Sequence, residues 1–93
     1  MDKQYRVFVP QKLRDLVEFD ISKPYALCLE DDAIFFLVET SQVSHELVLD
    51  VVNFDEKGRC VLSSRVLKHY KIEDGAEEFI FVQNKKIYIS FFE

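Results

Sequence analysis

An internal repeat constrains the fold of this chain more than any other feature of the sequence. Shifting the sequence by 53 residues aligns positions 2–39 with positions 55–92 without a gap. Three aligned pairs are identical, namely Asp2 with Asp55, Arg6 with Arg59, and Ile34 with Ile87. Apolar residues and turn residues keep the same phase along the whole alignment. The sequence therefore predicts two copies of one supersecondary unit.

Each copy predicts the same order of elements, in which an Asp-containing turn leads into a short strand, a brief helix and a β-hairpin. Pro10 suits the first position of the first helix, and Ser63 is expected to cap the second. The predicted strands are 6–9, 25–30, 33–38, 59–62, 78–83 and 86–92, with hairpin turns at 31–32 and 84–85. We therefore expect a mostly β protein with two short helices, built from two tandem strand-helix-hairpin repeats.

Apolar residues at three- and four-residue spacing predict one buried face on each helix. These residues are Leu13, Leu16 and Val17 in the first helix and Val66, Leu67 and Tyr70 in the second.

The segment between the two copies divides into a linker and a strand. Residues 39–44 are polar, whereas residues 46–54 alternate in polarity and predict an extra strand that pairs with 59–62. A chain of 93 residues supports one hydrophobic core. We expect residues 1–93 to form a single domain with a first repeat at 1–39, a linker and leading strand at 40–54, and a second repeat at 55–93.

The charge of the chain is acidic in total but segregated along the sequence. The net charge is −5, yet nine of the twelve Lys and Arg residues fall in two segments without acids, 3–14 and 57–71. A solvated surface of the ordinary kind carries both signs together. Because the binding of a polyanion depends on the local field more than on the total charge, this segregation favours an anionic partner.

The cysteines and the hydropathy limit the class of protein further. Cys28 and Cys60 lie inside apolar runs without metal-ligand spacing, so we expect reduced core residues rather than a disulfide scaffold or a zinc finger. No apolar run reaches the roughly 18 residues that span a membrane. These features predict a cytoplasmic protein with no cofactor, metal or membrane partner.

The pattern of the repeat resembles the AbrB/SpoVT swapped-hairpin family. Residues 55–62 read Asp-Glu-Lys-Gly-Arg-Cys-Val-Leu and are followed by a helix, the stretch Ile-Glu-Asp-Gly and an apolar hairpin. In the first copy Asp2 and Arg6 recur at the same spacing, and Pro10 stands where the helix of the family begins. Two tandem copies of Asp-x-x-x-Arg are similar to the MraZ branch of that family. The resemblance implies a small AbrB-like swapped-hairpin β-barrel, formed by interlocking of the two repeats.

The resemblance also implies a bacterial transcription factor that binds double-stranded DNA as a homodimer or larger homo-oligomer. Arginine presents a planar fork of donors to base edges and phosphates, whereas lysine mostly contacts phosphates. The predicted DNA-binding residues are Lys3, Arg6, Lys12, Arg14, Lys57, Arg59, Arg65 and Lys68. A second interpretation assigns Arg6 and Arg59 to internal ion pairs with Asp2 and Asp55, because the i, i+4 spacing across a turn suits such pairs.

Other classes of function have less support from the sequence. His45 and His69 lack a carboxylate or nucleophile at motif spacing, and two glycines leave no Gly-rich phosphate loop, so we expect no enzyme and no catalytic residues. The alternative to a DNA-binding regulator is a protein-binding module. Such a module is either antitoxin-like, with a toxin as partner, or a degenerate oligomerisation module without DNA binding, which the acidic total charge favours.

Overall fold

The computed structural model describes residues 4–73 and 75–92 of the chain. Its elements are β1 (Arg6–Phe8), α1 (Gln11–Leu16), β2 (Tyr25–Asp31), β3 (Ile34–Glu39), β4 (Val48–Val52), β5 (Arg59–Val61), α2 (Ser64–His69), β6 (Glu77–Gln83) and β7 (Lys86–Phe92), with one turn of 3₁₀ helix at Thr40–Gln42. The prediction of a mostly β protein with two short helices is confirmed. Within the described residues, the helices are all too short to cross a membrane.

The strands form two antiparallel sheets that share one hydrophobic core. Strands β1 and β5 pair as a two-stranded ribbon, and the second sheet has the strand order β4-β2-β3-β7-β6. Residues of the ribbon, of one face of the five-stranded sheet and of α2 meet in this core. The expected closed barrel is wrong, because each ribbon strand has three residues and no ladder joins the ribbon to the larger sheet in the described part of the chain.

The ribbon takes one strand from each repeat. Val7 pairs with Cys60 at its centre, and both side chains are buried. These two residues correspond to each other in the repeat alignment, so the antiparallel pairing relates β1 to β5 by a local twofold axis through their midpoint. Because successive side chains of a strand point to opposite faces, the neighbours of Val7 and Cys60 point away from the core.

A β-bulge in β2 interrupts the repeat alignment. Leu29 pairs with Phe35 and Asp31 pairs with Ile34, which makes Glu30 an extra residue on its strand. The corresponding hairpin of β6 and β7 pairs without any shift of register. The second copy is therefore one residue shorter beyond this point, and the first hairpin turn lies at 32–33 rather than 31–32.

Beyond the bulge the correspondence between the two copies differs from the ungapped alignment. Phe36 corresponds to Tyr88, and these two residues pair directly with each other at the centre of the sheet. The predicted match of Ile34 with Ile87 is wrong, since Ile87 lies in the core and Ile34 packs on the opposite face of the sheet. A slip of one residue exchanges the two faces of a strand. With this correction the pairing of β3 with β7 also relates the two copies by a local twofold axis.

The predicted extra strand forms, but its partner differs from the expectation. Strand β4 pairs with β2, where Val52 lies opposite Tyr25 and is buried in the core, and not with residues 59–62. The backbone N–H of Asp55 donates to the carbonyl oxygen of Arg59 and closes a tight turn. This turn leads the chain from β4 in the five-stranded sheet to β5 in the ribbon.

The helices agree with the sequence in part. Leu67 is fully buried, as expected for the inner face of α2. Leu16 is 66% exposed, because α1 is only six residues long and ends at this position. The predicted cap is also wrong, since the Ser63 hydroxyl makes no capping hydrogen bond and its carbonyl accepts the N–H of Leu67 instead.

The outer face of the five-stranded sheet, which points away from the ribbon, carries a second apolar cluster. Val43, from the crossover between β3 and β4, packs against this cluster together with Ile34 and Phe81. The buried members of the cluster are Ala26, Cys28, Phe36, Val38 and Tyr88.

Both cysteines are buried and free, which confirms that they are unpaired core residues. Cys60 lies in the ribbon and is part of the core, and burial raises the pKa of its thiol to about 12. Cys28 lies on the outer face of the sheet, where burial also raises the pKa of the thiol. At neutral pH both side chains are therefore neutral thiols.

Candidate nucleic-acid interface

The solvent-facing side of the ribbon gathers arginines from both repeats. This ribbon face consists of Arg6, Phe8, Arg59 and Val61, which alternate with the buried centre of the two strands. Arg6 lies opposite Val61 and Phe8 lies opposite Arg59. The two arginines therefore occupy one diagonal of the ribbon face, with Cα atoms about 7–8 Å apart.

Phe8 and Val61 occupy the other diagonal of the ribbon face. Phe8 is 49% exposed and Val61 is 59% exposed. The sequence did not indicate either residue, because each lies inside an apolar run that reads as core. The strand alternation around Arg6 and Arg59 is the signal that identifies them, once the inward direction of the strand is known.

The turn before β5 fixes the position of Arg59. One carboxylate oxygen of Asp55 accepts the backbone N–H groups of Lys57, at 2.9 Å, and Arg59, at 3.0 Å. The other oxygen accepts the Arg59 Nε–H at 2.8 Å. The backbone hydrogen bond from Arg59 is the main cause of a lowered pKa of the Asp55 carboxyl group, and the side-chain bond adds to it.

The ion-pair interpretation is thus correct for the second repeat. Both side chains of the Asp55–Arg59 pair are more than one third exposed. Of the guanidinium group of Arg59, only Nε–H contacts the Asp55 carboxylate. Among the described residues, the terminal amino groups of Arg59 have no further partner. They can donate to a ligand while the pair stays intact. The partner predicted for Arg6 is Asp2, which lies outside the described residues, as does Lys3.

Arg14 has a structural contact that the sequence did not indicate. Its Nε–H donates to the carbonyl oxygen of Val9 at 3.0 Å. Its guanidinium carbon lies 2.9 Å from the point where a Cβ atom on Gly58 would stand. Arg14 therefore packs over the turn of the second repeat, and part of its donor capacity is already used by the backbone.

The other described residues predicted to bind DNA are Lys12, Lys57, Arg65 and Lys68. All four are exposed, and the backbone places them near the two ends of the ribbon. The Val9 N–H donates to the Gly58 carbonyl oxygen, so α1 begins beside the turn of the second repeat. The Leu62 N–H donates to the Tyr5 carbonyl oxygen, so α2 begins beside the strand of the first repeat. The Arg59 end thus carries Arg59, Lys57 and Lys12, and the Arg6 end carries Arg6, Arg65 and Lys68.

The two ends differ in their acidic residues. Asp15 on α1 and Asp55 and Glu56 in the turn accompany the cations of the Arg59 end. On α2, Lys68 stands at the position that corresponds to Asp15. The described residues that form the Arg6 end, 4–9 and 62–71, contain no acid. Because Lys68 replaces Asp15 at the corresponding position, the positive field is expected to be stronger at the Arg6 end.

A separate surface cavity of about 340 Å³ lies between the end of α1 and the tip of the second hairpin. Its rim carries Glu18 and Glu39 together with Lys85 and Lys86. Because both signs of charge line it, this cavity gives no preference for a polyanion. The ribbon face and its two ends are the better candidate for nucleic acid.

Comparison of the chain with protein-family models, with curated proteins and with solved structures found no match in any of the three.

Proposed function

We propose that the chain is a cytoplasmic DNA-binding transcriptional regulator of the AbrB/MraZ type and that the ribbon face contacts the duplex. The observation that carries this proposal is the register of β1 and β5, which puts Arg6 and Arg59 from corresponding positions of the two repeats on one exposed face. A duplex has local twofold symmetry, and proteins with twofold symmetry present matching side chains to it.

The dimensions of the ribbon support contact with the major groove. That groove is about 12 Å wide and admits a two-stranded antiparallel ribbon. Arginine forms bidentate hydrogen bonds with the O6 and N7 atoms of guanine, and apolar side chains contact the methyl group of thymine. On the ribbon face Arg6 and Arg59 supply the first kind of contact, and Phe8 and Val61 supply the second.

The exposed cations at the two ends would hold the duplex through its phosphates. Lys12, Lys57, Arg65 and Lys68 are all exposed in the structure. Phosphate contacts position a protein on DNA without reading the sequence. With four such contacts, the logarithm of the affinity should fall with a slope of about −4 against the logarithm of the salt concentration.

The test is a titration of labelled duplexes with the full chain at several salt concentrations, followed by selection of the bound sequences from a random pool. Arg6→Ala should weaken binding to the selected duplex by about 1–3 kcal/mol. The matched control is Lys23→Ala, which removes one exposed positive charge away from the ribbon, where Lys23 pairs with Glu39 at 3.2 Å. Equal weakening by both variants, or no duplex binding at low salt, contradicts the proposal.

A protein-binding module without DNA contacts is the second candidate function. The exposure of Phe8 and Val61 favours it, because apolar side chains between polar neighbours are typical of protein interfaces. The same titration separates the two functions. A chain that does not bind duplex DNA at low salt but still self-associates is an oligomerisation module.

A further inference from the structure

The two hairpins of the structure are covered unequally at their outer strands. Strands β2 and β6 correspond to each other, and each forms the first strand of its hairpin. Strand β2 has β4 on its far side, whereas β6 is the edge of the sheet among the described residues. The local twofold axis thus leaves the position beside β6 without the strand that stands beside β2.

One pair of corresponding residues shows the consequence of this difference. Ala26 and Phe79 occupy the same position on β2 and β6, before the bulge, and both lie on the outer face of the sheet. Ala26 is 1% exposed and Phe79 is 57% exposed. The large apolar side chain of Phe79 is therefore exposed to solvent on β6, whereas the corresponding position on β2 is covered.

An aromatic row runs across the outer face and ends at this edge. The ring centroids of Phe36 and Tyr88 are 5.4 Å apart, and those of Tyr88 and Phe81 are 5.3 Å apart. Phe79 follows at 5.8 Å from Phe81. Lys86 lies over the Phe36 ring at the other end of the row, with its Nζ atom 5.0 Å from the ring centroid. Lys86 thus lies at one end of the row, and the other end lies on the edge strand β6.

The backbone of β6 also presents hydrogen-bonding groups to the open edge. In β2, the N–H of Leu29 donates to the carbonyl oxygen of Leu47 on the β4 side at 3.1 Å. Val82 and Ile80 correspond to Leu29 and Leu27, so their N–H and C=O groups point to the same side of β6. The seven residues of β6 contain no Pro, Gly, Lys or bulge, and the charged residues of the strand, Glu77 and Glu78, are confined to its first two positions.

We propose that β6 pairs antiparallel with β6 of a second copy of this chain, centred on Ile80, and joins the two five-stranded sheets into one. In this register the outward-facing groups of Ile80 pair with those of Ile80 in the partner subunit. Phe79 lies opposite Phe81 of the partner subunit, so the two aromatic rows become continuous.

The charges of β6 are compatible with this self-pairing. Glu77 lies opposite Gln83 of the partner subunit, and Glu78 lies opposite Val82 of the partner subunit. Like charges directly opposite each other destabilise an antiparallel pair, and this register has none. All seven residues find a partner in this register, so it buries more of the edge than a register centred one residue to either side.

Sedimentation of the full chain without DNA tests the association independently of the proposed function. The expected result is a concentration-dependent species of twice the chain mass of 11.0 kDa. Phe79→Lys should raise the dimer dissociation constant by about tenfold or more, because a charge on an edge strand blocks pairing. The matched control Val51→Lys places the same charge on the outer face of the opposite edge strand and should leave the dissociation constant unchanged.

Disulfide formation between single-cysteine additions tests the register. A mixture of the Phe79→Cys and Phe81→Cys chains should form a covalent heterodimer under mild oxidation, because residues 79 and 81 of opposite copies lie within bonding distance of each other. Phe79→Cys alone should not. A chain that stays monomeric at all concentrations overturns the pairing, as does an equal effect of Val51→Lys, and a Phe79→Cys homodimer overturns the register.

Discussion

The two ends of the ribbon are closed by different chemistry, although the local twofold axis relates their backbones. At the Arg59 end, Arg14 covers Gly58 and donates to the Val9 carbonyl. At the Arg6 end the corresponding residues are Leu67, which is fully buried, and Tyr5, which packs against the same core. The Arg59 end is thus packed through a polar side chain, Arg14, and the Arg6 end through the apolar side chain of Leu67.

The difference shows how a duplicated unit diverges without losing its backbone. Tyr5 and Gly58 both have a positive φ, 60° for Tyr5 and 83° for Gly58. The turn geometry is therefore kept while the side chain changes. Since Arg14 needs the space above Gly58, the glycine of one repeat and the arginine of the other depend on each other. The Arg59 end thereby gains a charged group, and the Arg6 end gains stability from buried area.

The largest effect is expected for Leu67→Ala, which removes a fully buried side chain from the apolar end. Loss of this packing should lower the free energy of unfolding by about 2–5 kcal/mol. Arg14→Ala, at the corresponding position, should cost roughly 1 kcal/mol, because it loses one hydrogen bond to a backbone carbonyl. Urea denaturation of both variants measures the difference. Leu16→Ala, at an exposed position of α1, is the control, and equal losses for Leu67→Ala and Arg14→Ala would contradict the comparison.

The next largest effect is expected for Gly58→Ala. A Cβ atom at Gly58 would lie 2.9 Å from both the Arg14 guanidinium carbon and the Val9 carbonyl oxygen. Strain from the positive φ and from this crowding should together cost about 2–3 kcal/mol of the free energy of unfolding.

Gly75→Ala is the matched control for this glycine. Gly75 has a φ of 79° but no atom within 4 Å of its added Cβ, so the backbone alone should cost about 1 kcal/mol. The double variant Gly58→Ala with Arg14→Ala should lose less stability than the sum of the two single variants, because it relieves the crowding with Arg14 while the Val9 oxygen remains in place. If the two glycine variants lose equal stability by thermal and urea unfolding, crowding by Arg14 has no role.

Much of the fold could be predicted from the sequence because period-two patterns and turn residues are local signals. The strands, both helices and the turn at 84–85 lie within a few residues of their predicted positions. The bulge at Glu30 could not be found, because a charged residue near a hairpin turn reads as part of the turn. The ungapped alignment then assigned the wrong face to the strand after it.

The partner of β4 and the role of Arg14 depend on tertiary contacts that no local pattern encodes. Strand β4 alternates in polarity as an edge strand does, which fits either sheet. The candidate site was predictable in its charges, since segregation of basic residues is visible in the sequence. Its division into two unequal ends was not, because the antiparallel ribbon brings the helix of one repeat to the turn of the other.

A change of pH should affect the Arg59 end through the turn. The pKa of Asp55 is lowered by its hydrogen bonds, first from the Arg59 backbone. The unfolded chain therefore binds this proton at a higher pH than the folded one, so the contribution of Asp55 to stability is present above about pH 4 and is lost as the pH falls through the folded pKa.

Thermal unfolding between pH 7 and pH 2 measures this contribution. The melting temperature of the wild type should exceed that of Asp55→Asn at neutral pH, and the difference should shrink below about pH 4. Glu56→Gln is the control, because it removes a neighbouring charge that has no hydrogen bond to another described residue. Its melting temperature should follow that of the wild type over the whole pH range. A difference that stays constant over the whole range would show that the Asp55 carboxylate is not the cause.

The smallest effect is expected for the rate at which the centre of the ribbon opens in the Arg14→Ala variant. Cys60 lies midway between the two ends and is protected by burial, so a thiol reagent should label it only when the ribbon opens. Arg14→Ala removes a contact worth roughly 1 kcal/mol from one end of the ribbon, so the labelling of Cys60 should become about fivefold faster. Cys28, in the interior of the five-stranded sheet, serves as the internal control in the same sample, with both sites followed by mass spectrometry of peptides. In the wild type Cys60 should be labelled faster than Cys28, and equal rates would mean that Cys60 becomes accessible only when the whole fold unfolds.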